Sequence, residues 1–185
     1  MAKKKYAQTT SAPHNAIEDA NSEVEALAEE MREWCSNIEE KFSGTEQYER
    51  VSTAADELES VEAPDPSASE ECDDTCTFSL VASKRMSRAD RRDNAAARYA
   101  AACDILRGAA EGLREKVAAY DKYATRAENY AVRAENPPVN APDGWGETER
   151  DEAERTAEGF EELADACEEA QSTIEGVEFP GMFGR

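Results

Sequence analysis

The chain has 185 residues, and its 42 Asp and Glu against 21 Lys and Arg give a formal net charge of −21. That balance excludes general affinity for nucleic acid or anionic lipid, whose phosphates it repels. It points instead to basic surfaces and to proteins that themselves bind nucleic acid. No run of eighteen apolar residues is present to cross a membrane. The start Met1-Ala2-Lys3-Lys4-Lys5-Tyr6 passes into Gln, Thr, Ser and Pro rather than the apolar core of a secretory signal, so a cytoplasmic location is expected.

Residues 1–13, polar and Pro-containing, read as a disordered basic tail. Asn15 with Glu18 three residues on has the spacing of a capping box, and predicts a first helix over about 15–43. Its apolar seam is Ile17, Ala20, Val24, Leu27, Met31, Trp34 and Ile38, with Cys35 and Phe42 beside it. Gly44 supplies a left-handed cap, and Thr45 can start a second helix over about 45–62, carrying Tyr48, Val51, Ala55, Leu58 and Val61. So short a connection predicts an antiparallel hairpin. Pro64 and Pro66 close that helix, and 63–86 reads as a loop.

A third helix, over about 87–136, is capped by Ser87 with Asp90. Its heptad seam runs Ala96, Tyr99, Cys103, Leu106, Ala110, Leu113, Val117, Tyr120, Ala124, Ala127, Ala131 and Ala134. Gly108 and Gly112 lower its propensity and suggest a close crossing or a gentle bend. After Pro137, Pro138 and an Asp143-Gly144-Trp145-Gly146 turn, a fourth helix over about 148–176 repeats the pattern with Ala153, Thr156, Phe160, Leu163, Cys167, Ala170 and Ile174, and Val177 follows in step. The expected fold is all-α: an elongated, mainly antiparallel coiled-coil bundle of four helices with one very long central helix. It occupies 14–177 and is followed by a hydrophobic tail, 178–185.

Three polar or apolar features stand out as candidate sites. Arg85, Arg88, Arg91 and Arg92, with Lys84 and Arg98, form a basic patch at the start of the third helix; neutralisation of neighbouring acidic helices is its simplest role. Glu154, Glu158, Glu161, Glu162, Asp165, Glu168 and Glu169 form an acidic stripe on the fourth helix, spaced at roughly 3 Å of axis per charge. That is close to the phosphate spacing of one DNA strand, although a solvated outer face explains the stripe as well. Phe179, Met182 and Phe183 on a Pro-Gly turn can fold back on the bundle or anchor a partner.

Cys72 and Cys76 lie among carboxylates that raise a thiol pKa, and the other ligands of a zinc site are missing, so inert thiols are expected rather than a metal or redox centre. Cys35, Cys103 and Cys167 fit as small core residues. No Gly-rich phosphate loop, nucleophile elbow or His-based dyad is present, so no enzyme activity, cofactor or metal is expected.

With Glu30-Met31-Arg32-Glu33-Trp34, Asp90-Arg91-Arg92-Asp93-Asn94 and Phe179-Pro180-Gly181-Met182-Phe183, the chain resembles small acidic helical proteins of tailed phages and related mobile elements. The resemblance implies an accessory role in a host cytoplasm and brings no established activity with it. The expected function is a non-catalytic, acidic helical protein–protein interaction protein. The alternative is a nucleic-acid mimic that inhibits a host DNA- or RNA-binding defence protein. A protein partner is expected, with no direct nucleic-acid or membrane binding. Self-association stays open, and the acidity accords with halophilic adaptation too, although Glu far exceeds Asp.

Overall fold

The computed structural model describes residues 5–82, 85–132 and 145–180, the side chains of 128–132 excepted. Lys84, the Ala134 end of the third seam, the 133–144 linker, Met182 and Phe183 lie outside the described residues, as does the side chain of Ala131. In chain order the elements are β1 (Tyr6–Ser11), α1 (Pro13–Phe42), α2 (Glu46–Glu59), a 3₁₀ turn (Pro66–Glu71), β2 (Cys76–Val81), α3 (Arg88–Val132) and α4 (Glu147–Gly176). The molecule is mostly helical, with a two-stranded antiparallel ribbon that the sequence reading does not contain.

Helix α3 is the axis of the fold, 45 residues long and so about 68 Å at 1.5 Å per residue. Its extensive interfaces are with α4 on one side and α1 on the other, while α2 packs on α1 and touches α4 lightly. Ion pairs fix the directions. Arg91 reaches Glu23 and Glu30 of α1 while Arg98 lies near Asp19, and Arg107 reaches Asp165 and Glu168 of α4 while Arg114 reaches Glu161. In each pair of helices one number rises as the other falls, so both are antiparallel to α3. All four helices contribute to one core, and the contact of α2 with α4 is the lightest of their interfaces.

The heptad residues form the core. Ile17, Leu27, Met31, Tyr99, Leu106, Cys167 and Ile174 are fully buried, and Ala102, Ala157 and Ala164 widen the predicted seams. Trp34 and Ile38 are only half-buried, because they lie where α1 runs past the start of α3; Arg88 covers the Trp34 ring at 4.9 Å. Toward its C-terminus α3 continues alongside α4, whose Glu161 and Arg150 pair with Arg114 and Asp121, and there Tyr120 and Trp145 bring their rings to 6.5 Å.

Local signals act largely as expected at the hairpin and at the start of α3. Gly44 takes φ +78°, and the Thr45 side chain accepts the Tyr48 N–H. Ser87 Oγ accepts the Asp90 N–H while Asp90 Oδ2 accepts the Ser87 N–H, both at 3.1 Å. Three boundaries differ. Helix α1 starts at Pro13 rather than at Asn15, since proline's fixed φ and missing N–H suit a first helical position. Helix α2 ends at Glu59, short of Pro64; that proline is buried, its carbonyl accepting from Asn21, and Pro66 opens the 3₁₀ turn. The stretch read as a disordered tail holds β1, which pairs residue for residue with β2 in the stretch read as a loop, from Tyr6 with Val81 to Ser11 with Cys76.

Candidate functional site: the acidic face of α4 and the groove beside it

The basic patch is drawn inward. Arg91 is ion-paired with Glu23 and Glu30, Arg88 with Glu30 at 3.3 Å, and Arg92 donates to the Val177 carbonyl at 2.7 Å and pairs with Asp93. Burial alone pushes the Glu30 carboxyl up, but hydrogen bonds and charge from Arg91 and Arg88 outweigh it and hold the group below the usual carboxylate range. Arg85 is exposed at the edge of this cluster. The patch therefore fastens α1 and the C-terminal end of α4 to the start of α3.

The acidic stripe divides into two lines. Glu154, Glu161 and Glu168 flank α3 or the base of α4 and meet Arg150, Arg114 and Arg107 respectively. Glu158, Glu162, Asp165 and Glu169 follow one another at heptad spacing on the outer face, all exposed. Of these, Asp165 meets Arg107 at 2.9 Å. Among the described residues, Glu158, Glu162 and Glu169 have no Lys or Arg partner. The open line spans about 16 Å, or one charge per roughly 5.5 Å, sparser than the roughly 3.4 Å of a DNA strand.

Beside this face lies an open groove of about 870 Å³ between α3, α4 and the 3₁₀ turn with the residues after it. Gly108, Gly112 and Gly159 line it, with Leu113 and Phe160 as its largest apolar side chains. Nothing lies within 4 Å of the position a Cβ would take on Gly108 or Gly112, so these glycines open space instead of serving a close helix crossing. The rim carries Glu71, Asp73, Asp74 and Glu152 against Lys116 and Arg155, and Thr156 Oγ1 donates to Glu71 at 3.0 Å, tying the turn to α4. Glycines four apart on a long helix were the signal for this groove; their spacing alone fits a crossing equally well.

The cysteines are drawn into the interior. All five are free and buried, and burial raises each thiol, that of Cys167 to about 12 with Cys103 adding to the effect. Cys72 and Cys76 sit in different surroundings, Cys72 in the groove wall and Cys76 under the ribbon, where its S–H donates to the Ser11 carbonyl at 3.2 Å. Among the described residues, no group of three His, Cys, Asp or Glu is placed to hold a metal ion. His14, read as part of a remote tail, is in the first turn of α1 with Nδ1 at 3.3 Å from the Pro66 carbonyl.

No family model, curated protein or solved structure matches the chain.

Of the hydrophobic tail, Phe179 is half-buried and packs against the main core beyond the end of α4. The described residues thus place one member of that trio as a packing residue. Among the described helices, none is long and apolar enough to cross a membrane.

Proposed function

We propose that this chain is a non-catalytic helical interaction protein that offers the outer line of α4, Glu158, Glu162, Asp165 and Glu169, to a basic surface on another protein. The observation that carries this reading is the division of the acidic stripe. Arginines meet Glu154, Glu161, Asp165 and Glu168, and among the described residues Glu158, Glu162 and Glu169 are left on the solvent-facing side of α4 without a Lys or Arg partner. Their charge steers a basic partner and costs little to desolvate at an interface rim. The resemblance to acidic phage and mobile-element proteins extends the proposal to an accessory role in a host cytoplasm.

The nucleic-acid mimic is the second reading, and the charge spacing favours it less. A mimic has to reproduce the density of a phosphate backbone, and the open line is sparser.

Affinity capture with the full chain, with a variant carrying Glu158→Gln, Glu162→Gln, Asp165→Asn and Glu169→Gln, and across a salt titration, tests the proposal. The expected result is a basic protein retained by the wild type, released by salt, and missed by the variant. Equal capture by both chains overturns it. Capture that DNA or RNA competes away transfers the assignment to the mimic.

A further inference from the structure

The two edges of the β1–β2 ribbon are treated differently. The Ala82 N–H donates to the Lys5 carbonyl at 2.8 Å, which makes these two opposed residues a hydrogen-bonded pair. Such pairs alternate along an antiparallel ladder, so Ala7, Thr9 and Ser11 spend their backbone groups on β2. Tyr6, Gln8 and Thr10 turn theirs to the outer edge. Val81, opposite Tyr6, is outward-facing on its own strand, and there the buried Asn94 side chain takes its N–H at 2.7 Å. Helix α3 thus caps the edge of β2.

Among the described residues nothing comparable protects β1. Its residues from Tyr6 to Thr10 are exposed, Tyr6 by 63%, and among the described residues no further strand pairs with it. It carries no proline, charge or bulge, the devices by which edge strands ordinarily avoid recruiting another chain.

We propose that β1 pairs with β1 of a second copy across a two-fold axis at Gln8, joining two ribbons into one four-stranded antiparallel sheet. The register follows from the outward groups. With Gln8 opposite the partner's Gln8, and Tyr6 opposite the partner's Thr10, every outward donor and acceptor of Tyr6, Gln8 and Thr10 is used; a shift in either direction leaves some of them unused. Charge is compatible with the same place. No Asp or Glu occurs in 1–17 or in 75–89, so the carboxylates behind the net charge of −21 lie away from the ribbon, and the register sets Lys5 opposite the partner's Ser11 rather than opposite a second Lys5. The pairing doubles the acidic faces available to a partner but does not depend on that role.

Sedimentation velocity and a cysteine trap test this on the full chain. The expected species at raised concentration has twice the 20.3 kDa mass of one chain, and its share grows with salt as repulsion is screened. Gln8→Pro removes an outward N–H and leaves the β1–β2 ladder intact, so it should give a monomer with unchanged circular dichroism. Gln8→Cys places the two sulfurs on a pair with Cα atoms about 5.5 Å apart, within disulfide range, and should give a covalent dimer on oxidation. Tyr6→Cys puts the pair roughly 13 Å apart along the strands and should not. A chain that stays monomeric across the concentration series, even if it takes up an extended peptide of another protein, overturns the proposal, as does equal cross-linking of the two cysteine variants.

Discussion

Asn94 completes a β-strand with its side chain: Oδ1 accepts the Val81 N–H at 2.7 Å and Nδ2 lies 3.4 Å from the Val81 carbonyl, both in a buried setting. One residue of α3 thereby takes the position of a missing strand and couples the ribbon to the helical core. Asn94→Ala removes donor and acceptor together and leaves both Val81 groups buried without partners. The expected cost is about 1–3 kcal/mol, seen as a lower urea midpoint. An unchanged midpoint would mean that water reaches this edge.

Tyr99 is the second polar link inside the core. Its side chain is fully buried, its hydroxyl donates to Asn21 Oδ1 at 2.7 Å, and Asn21 in turn donates to the Pro64 carbonyl at 3.0 Å. The chain of bonds runs from α3 through α1 to the segment after α2. Tyr99→Phe keeps the ring and strands the Asn21 oxygen, so a loss of about 1–2 kcal/mol is expected by denaturant titration. Asn21→Ala in the Tyr99→Phe background should cost less than in the wild type, because the two side chains act as a unit.

Acid should loosen the contact between α1 and α3. Arg91 and Arg88 hold Glu30 below its ordinary value of 4.5 in the folded chain. A carboxyl lowered by folding stabilises fully above its unfolded pKa, and that contribution is lost as pH falls through the folded value. Thermal melts should therefore drop as pH goes below about 4, and Glu30→Gln should flatten part of that fall. Arg91→Ala, which leaves Glu23 and Glu30 without their shared partner, should cost about 1–2 kcal/mol at neutral pH, less than for a deeply buried pair because solvent screens the site. If the variants and the wild type share one acid profile, the cluster carries no folding energy.

Salt acts on two opposed quantities here. It weakens the exposed arginine pairs, each worth about 0–1 kcal/mol, and relieves repulsion among many unpaired carboxylates. With a net charge of −21 the second effect should win, so melting temperature should rise from low to moderate salt. A falling melting temperature would make the arginine pairs the larger contribution.

The helices were legible because their code is local. Ile17 through Met31, Tyr99 through Leu106 and Phe160 through Ile174 repeat at three and four residues, and burial follows those spacings. The ribbon was not, because its partners are about seventy residues apart in sequence and each strand is too short for its pattern to compete with flanking polar segments. A signal was present in Cys76, Phe78 and Leu80 alternating with Thr77 and Ser79. The α1 start was misplaced for a related reason: Asn15 with Glu18 matches a cap, but the Pro13 backbone is already suited to begin the helix two residues earlier. On α4 the sequence showed seven carboxylates on one broad face. Which of them are paired depends on Arg107 and Arg114 of α3 and on Arg150 of α4, which meet Asp165, Glu168, Glu161 and Glu154.

Gly108 and Gly112 decide whether the groove is a consequence of folding or is kept open at some cost. Both lie inside α3 with helical backbone and empty space where a Cβ would be. In such positions Gly→Ala reduces unfolded-state entropy and improves helix propensity, so each substitution should stabilise the chain by about 0.5–1 kcal/mol. Nothing in the packing requires glycine at either place. If the alanine variants are more stable in urea and still capture the same basic partner, the groove is a by-product of a weak helix segment beside the acidic face. If stability rises while capture is lost, the glycines hold open a space that the partner enters, and the contact surface extends from Glu158 into the groove.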